Sequence, residues 1–232
     1  MGSVPNFLPS QNGFRFTNAW PSEPDVVVDV FGLGRIPIGN ASNGLCGGMA
    51  FAVRDYFEAK RPPPSSDRPA HGTPLFTYIV QRLIDSFDVP RGVVRYYEWM
   101  SSPDADTHIW IVDRPGVWSR TIREEWPKIK ADIDAGHPSC LGIIAAHSSD
   151  PADLGRNHQV LAYAYSRHGF DLQLSVYDPN TDHGSSDTVR LSLNTRNPAQ
   201  PGPIESNIQI PDPVRGFFRV SYTAVDPPAD AA

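Results

Sequence analysis

One cysteine, one histidine and one aspartate stand where they could act together in nucleophilic catalysis. Cys46 opens a segment with helical periodicity, His158 begins an apolar strand-like segment, and Asp178 ends the next one. A histidine can remove the proton of a thiol, and a carboxylate can orient that histidine. A helix N-terminus further acidifies a thiol through its unpaired N–H groups and its dipole. These residues predict a Cys–His–Asp triad that forms a thioester acyl-enzyme.

The spacing of the histidine and the aspartate supports this hypothesis. A turn is expected in the segment RHGF, residues 167–170. His158 and Asp178 lie at equal distances on either side of position 168 in the chain. Antiparallel strands joined by a short turn bring two such residues to the same edge of a sheet. The sequence therefore predicts that they lie side by side.

Two glycines follow the cysteine, although together they cost about 2 kcal/mol of helix propensity relative to alanine. Without side chains, they would let a substrate backbone approach the thiol closely. We therefore predict that Gly47 and Gly48 bind substrate, and we include Asn43, shortly before Cys46, and Asn157, directly before His158, in the same group. A core thiol needs no such neighbours, and Cys140 in the apolar segment SCLGII is interpreted as one.

Hydrophobic periodicity places these residues on an α+β scaffold. Helices are predicted over residues 46–60, 73–88 and 119–136, with Thr73 as the N-cap of the second and Gly136 as the stop of the third. One early strand is expected in VVVDVFGL. Later strands are predicted in SCLGIIAA, HQVLAYAYS, FDLQLSVYD, TVRLSL and GFFRVSY. Helices followed by an antiparallel sheet are typical of the α+β class.

Composition and charge argue against several classes of protein. The chain has 232 residues and a net charge of −6, which gives no general attraction to nucleic acid or to an anionic membrane. Two cysteines are too few for a disulfide framework or a zinc finger, and no cofactor or metal is expected. Without a recognisable signal peptide or transmembrane segment, a cytoplasmic location is predicted, with unconventional export left open. We predict one domain over residues 1–226 and a flexible tail over residues 227–232.

The segments NASNGLCGGMAF and NHQVLAYAYSRHGFDLQLSVYDPN resemble the papain-like cysteine peptidases, and within them the C39-like peptidases that process bacteriocins. The resemblance implies N-terminal helices packed on a C-terminal antiparallel sheet. It also implies a catalytic triad of Cys46, His158 and Asp178. In that family a glutamine six residues before the cysteine supplies the oxyanion hole. Asn40 holds that position here, and Asn43 is a second candidate, because either amide could donate beside the Cys46 backbone N–H.

The predicted reaction is acyl transfer from an amide or thioester to Cys46, with peptide hydrolysis by a thiol protease as the first choice. An acyltransferase or a deamidase with the same triad is the alternative among enzymes. A catalytically inactive binding module on the same fold is the alternative from another class. The expected partner is a peptide or another acyl substrate, and the sequence leaves its identity and the oligomeric state open.

Overall fold

Helices and a curled antiparallel sheet together form the scaffold around the predicted site. The computed structural model describes residues 1–20, 27–30, 34–37, 45–64, 67–109 and 112–229. The predicted α+β class is confirmed. The helices are α1 (Pro9–Asn12), α2 (Cys46–Glu58), α3 (Pro74–Ser86), α4 (Arg91–Ser101), α5 (Val117–Arg120) and α6 (Trp126–Asp134). Shorter helical turns are a π-helical turn (Thr121–Glu125) and two 3₁₀ helices (Pro151–Arg156 and His183–Thr188).

The strands follow the predicted order in the second half of the chain. They are β1 (Gly2–Ser3), β2 (Val27–Val30), β3 (Gly34–Pro37), β4 (Thr107–Ile109), β5 (Val112–Arg114), β6 (Ser139–Ile144), β7 (His158–His168), β8 (Asp171–Tyr177), β9 (Arg190–Asn194), β10 (Glu205–Ser206) and β11 (Gly216–Arg219). The main sheet runs β10-β9-β8-β7-β6-β11, and β1 also pairs with β7. All these pairs are antiparallel. Pairs β2–β3 and β4–β5 form separate hairpins.

The three predicted helices are present, with local signals that explain their bounds. The Thr73 side chain accepts a hydrogen bond from the Phe76 N–H at 3.4 Å, which confirms it as the N-cap of α3. The third predicted helix is divided into α5, the π-helical turn and α6, because Pro127 cannot continue the hydrogen-bond ladder of a preceding helix. Gly136 follows α6 with a φ of +86°, a conformation that glycine adopts easily. Within the described ranges, every helix is too short or too polar to cross a lipid bilayer.

Helix α4 is an element that the sequence analysis did not predict. Its buried side chains are Val93, Tyr96, Trp99 and Met100. Tyr96 and Trp99 pack on Phe218 of β11, with ring centroids 4.7 and 5.2 Å apart. Helix α4 therefore covers the sheet beside the predicted site.

The C-terminal segment contacts α2. Pro227 is buried, and the Pro228 carbonyl accepts a hydrogen bond from the Tyr56 hydroxyl at 3.2 Å. Residues 230–232 lie outside the described residues. Flexibility of the tail over residues 227–232 stays a prediction, and Pro228 within it contacts the helix that carries Cys46.

Candidate active site

His158 and Asp178 form a buried pair at one end of the sheet. Nε2 of His158 lies 2.7 Å from Oδ1 of Asp178, and the two side chains are 4% and 0% exposed. The predicted contact between them is confirmed. Because the carboxylate engages Nε2, Nδ1 is the ring nitrogen left for the Cys46 side chain, which lies near enough to raise the pKa of the same imidazole. Cys46, His158 and Asp178 therefore act on one another in the order that a triad requires.

The register of the β7–β8 hairpin differs from the one predicted by placing the centre of its turn at residue 168. The turn lies in the predicted RHGF segment, but His168 pairs with Asp171, so its centre lies between residues 169 and 170 instead of at residue 168, and a β-bulge at residues 162–164 shifts the pairing by one residue. Leu161 pairs with Tyr177, and this register, continued, places His158 opposite residue 180 instead of 178. Asp178 is therefore a diagonal neighbour of His158. Diagonal pairs in an antiparallel sheet remain within reach of longer side chains.

A set of donors from the surrounding loops holds the carboxylate of Asp178. Its Oδ1 accepts from the Asn180 N–H at 2.9 Å. Its Oδ2 accepts from the Thr181 hydroxyl at 2.9 Å and from the Gln209 N–H at 2.8 Å. Burial by itself would raise the pKa of Asp178, but the charge of His158 and these hydrogen bonds lower that pKa below its ordinary value. Asp178 is therefore ionised at neutral pH.

The imidazole of His158 lies between two acidic groups. Burial alone would lower the pKa of His158, but the charges of Cys46 and Asp178, with the hydrogen bonds that the imidazole donates to them, raise it to about 10. The histidine therefore keeps its proton while the nearby sulfur of Cys46 carries a negative charge. A thiolate paired with an imidazolium is the reactive form of a cysteine nucleophile.

Cys46 is the first residue of α2, as predicted, and its side chain is almost buried. The N–H of Leu45, directly before it, donates to Oδ1 of Asn18 at 2.7 Å. The Asn18 amide in turn donates to Oδ1 of Asn180 at 2.9 Å. Asn18 thus joins the start of α2 to the loop after Asp178. Sequence analysis missed Asn18, because both of its partners are distant in the chain.

The glycine pair after Cys46 is explained by close packing. A Cβ at Gly48 would overlap the carbonyl oxygen of Ile79 in α3. A Cβ at Gly47 would lie 2.5 Å from Oγ of Ser86 and 2.7 Å from Nε2 of Gln159. These contacts give the two glycines a packing role that does not depend on access of a substrate to the thiol. A role of Gly47 and Gly48 in substrate binding stays a prediction.

Replacing Gly48 by alanine is expected to lower the free energy of unfolding by about 2–3 kcal/mol, because the new methyl group forces the α2 and α3 backbones apart. Urea denaturation at 25 °C measures this loss. Gly184→Ala is the matched control, since nothing lies within 4 Å of a Cβ at that position, and its effect should stay below about 0.5 kcal/mol. Equal stabilities of the two variants would contradict the packing explanation.

The structure describes one of the three asparagines that were predicted to lie in the site. Oδ1 of Asn157 accepts from the backbone N–H groups of Ala145 and Ala146, at 3.1 and 3.2 Å. Asn157 therefore holds the segment after β6 in place through these two hydrogen bonds. Its role in substrate binding stays a prediction. Asn40 and Asn43, the two candidate oxyanion donors, lie outside the described residues.

Cys140 differs from Cys46 in its surroundings. It is fully buried in β6, and burial raises its pKa to about 11. Both cysteines are free thiols. Cys140 therefore has the character of the core thiol that the sequence indicated. In the part of the chain that the structure describes, no three His, Cys, Asp or Glu side chains are grouped to hold a metal ion.

Comparison with known proteins places this site in no family. No family model, no curated protein and no solved structure matches the chain. The chemistry of the site is therefore argued from its own geometry. A sulfur at a helix start, a protonated imidazole and a buried carboxylate have the contacts needed for nucleophilic attack and proton transfer.

Proposed function

We propose that this protein is a papain-like cysteine hydrolase, similar to C39-like peptidases, that cleaves a peptide or another acyl substrate through a thioester at Cys46. The hydrogen bond of 2.7 Å between His158 and Asp178, on an imidazole whose pKa the nearby Cys46 side chain raises, is the observation that carries the proposal. A core thiol needs neither a histidine partner nor a buried acid behind that histidine.

The proposed reaction has two steps. The Cys46 thiolate attacks the substrate carbonyl carbon, and the proton on Nδ1 of His158 passes to the leaving amine as the C–N bond breaks. Water then attacks the thioester, His158 takes a proton from that water, and the C–S bond breaks to release the acid. The oxyanion formed in each step is assigned to the Cys46 backbone N–H and to the amide of Asn40 or Asn43.

Selective alkylation of the two cysteines tests this proposal. Iodoacetamide at pH 7 is expected to label Cys46 at least about 100-fold faster than Cys140, because thiolate is the reactive species and Cys140 is buried and protonated. Mass spectrometry of the two cysteine-containing peptides measures the rates. In 6 M urea, a concentration chosen to unfold the chain, the two cysteines should be labelled at similar rates, on the order of minutes.

Ester hydrolysis by the same samples separates an enzyme from an inactive binding module. A hydrolase releases p-nitrophenol from p-nitrophenyl acetate, and prior alkylation of Cys46 stops that release. Equal slow labelling of both cysteines in the folded protein, with no release of p-nitrophenol, would overturn the proposal and favour the inactive module.

A further inference from the structure

Gln159 is a buried polar side chain that directly follows His158 in β7. Its Nε2 donates to Oγ of Ser86, at the end of α3, over 3.0 Å. The Ser86 hydroxyl donates in turn to the Leu83 carbonyl at 2.7 Å. The start of β7 is thus tied to α3 by a hydrogen bond with little access to solvent.

This hydrogen bond packs against the residue that follows the nucleophile. A Cβ at Gly47 would be within 2.8 Å of Oγ of Ser86 and of two atoms of the Gln159 amide. Gln159 therefore spans from the neighbour of the histidine to the neighbour of the cysteine. Movement of this side chain would change the separation between the starts of α2 and β7, on which the contact between Cys46 and His158 depends.

Two buried polar atoms beside this hydrogen bond are not explained by a gain in the stability of the fold. Oε1 of Gln159 is buried and has no hydrogen-bond partner among the described residues. The hydroxyl of Tyr96 is also buried without a partner there, and it lies over Gly142, which pairs with Gln159 in the sheet. A buried polar atom without a partner destabilises a fold by about 1–3 kcal/mol. An apolar side chain of equal length at position 159 would avoid that cost.

We propose that Gln159 is a positioning residue for the contact between Cys46 and His158. Its hydrogen bond to Ser86 fixes the Gln159 amide against Gly47, and this packing sets the separation between the start of α2, with the thiol, and the start of β7, with the imidazole. This inference rests on the proposed function, because it assigns Gln159 a task in the same site.

Gln159→Met tests the inference, since methionine has a similar length and no amide. Its melting temperature should equal or exceed that of the parent protein. Its alkylation rate at Cys46 should fall about 10-fold at pH 7, and the pH profile of this labelling should differ from that of the parent protein. Ser86→Ala should act in the same direction. The double variant should be no slower than the slower single variant, because both changes break one hydrogen bond.

Gln173→Met is the matched control. It removes a hydrogen bond of 3.3 Å from an exposed Gln173 to Ser192, between β8 and β9, and should leave the labelling profile of Cys46 unchanged. A folded Gln159→Met variant with the parental labelling profile of Cys46 would overturn the inference, whatever its melting temperature. Should Gln159→Met not fold, the profile of Ser86→Ala decides.

The parent protein separates the two proposals. Absence of selective labelling and of ester hydrolysis in the parent would overturn the proposed function, and the positioning role with it. Selective labelling in the parent that Gln159→Met and Ser86→Ala leave unchanged would overturn the positioning role alone.

Discussion

Replacing Asp178 by asparagine is expected to lower the rate of p-nitrophenyl acetate hydrolysis by about 10⁴-fold, the loss seen when a triad acid becomes an amide. The loop donors, such as the Gln209 N–H, compete for the single amide oxygen. The amide NH₂ then faces His158, which stabilises the wrong tautomer and no longer supports the imidazolium. Initial rates at pH 7, normalised to the folded fraction from circular dichroism, measure the effect.

Thr181→Val is the control for that experiment. It removes one donor to Oδ2 of Asp178, at 2.9 Å, and leaves the pair with His158 in place, so hydrolysis should change only a few-fold. Asp178→Ala is a weaker test, because the Asn180 N–H, the Thr181 hydroxyl and the Gln209 N–H would all lose their acceptor, so a loss of stability would accompany the loss of the acid. Unchanged hydrolysis by Asp178→Asn would remove Asp178 from the reaction.

Replacing Asp55 by alanine is expected to lower the free energy of unfolding by about 3–5 kcal/mol, because it leaves a buried guanidinium without its main partner. The Asp55 carboxylate accepts hydrogen bonds from Arg82 at 2.7 and 3.1 Å, from Tyr78 at 2.7 Å, from Tyr222 at 2.6 Å and from the Val225 N–H at 3.1 Å. Urea denaturation at 25 °C measures the loss.

Asp226→Ala supplies the comparison. Asp226 is 86% exposed and pairs with Arg61 at the surface, where an ion pair contributes about 0–1 kcal/mol. A loss below about 1 kcal/mol for Asp55→Ala as well would show that the buried pair contributes no more to stability than a surface pair.

The sequence was sufficient to predict the elements that carry the triad, because local patterns determine them. Apolar spacing predicted α2, and alternating segments predicted β7 and β8 on either side of a glycine-containing turn. The contact between His158 and Asp178 follows from any short hairpin at that place. Its register was predicted incorrectly, because His168 pairs with Asp171 and the turn is therefore centred between residues 169 and 170 instead of at residue 168. The β-bulge at residues 162–164, which leaves no distinct pattern in the chain, then shifts the pairing by one residue.

The supporting residues could not be predicted, because their partners are distant in sequence. The need for Gly48 comes from the Ile79 carbonyl, and Gln159 meets Ser86 across 73 residues. Asn180 is the exception. An aspartate two residues before it is typical of a turn in which the carboxylate accepts the Asn180 N–H, and the structure has that bond.

In α4, the intrinsic preference of the residues for a strand disagrees with the helix that tertiary packing stabilises. Val93, Val94 and the aromatic residues of RGVVRYYEWMS favour a strand by intrinsic preference. No side chain caps its N-terminus. The helix buries Val93, Tyr96 and Trp99 on one face, and tertiary packing of such a face outweighs weak local preference.

The Asp55 carboxylate, in the second half of α2, also has a consequence for the order of events during translation. Asp55 is made early, yet the Val225 N–H that completes its shell lies 170 residues further along the chain. At roughly 5–20 residues per second, a ribosome needs about 10–30 s to cover that distance. Throughout this interval the nascent chain holds an incompletely paired carboxylate in its first long helix. The helix that carries Cys46 therefore reaches its final packing only after the last strand of the sheet has been synthesised.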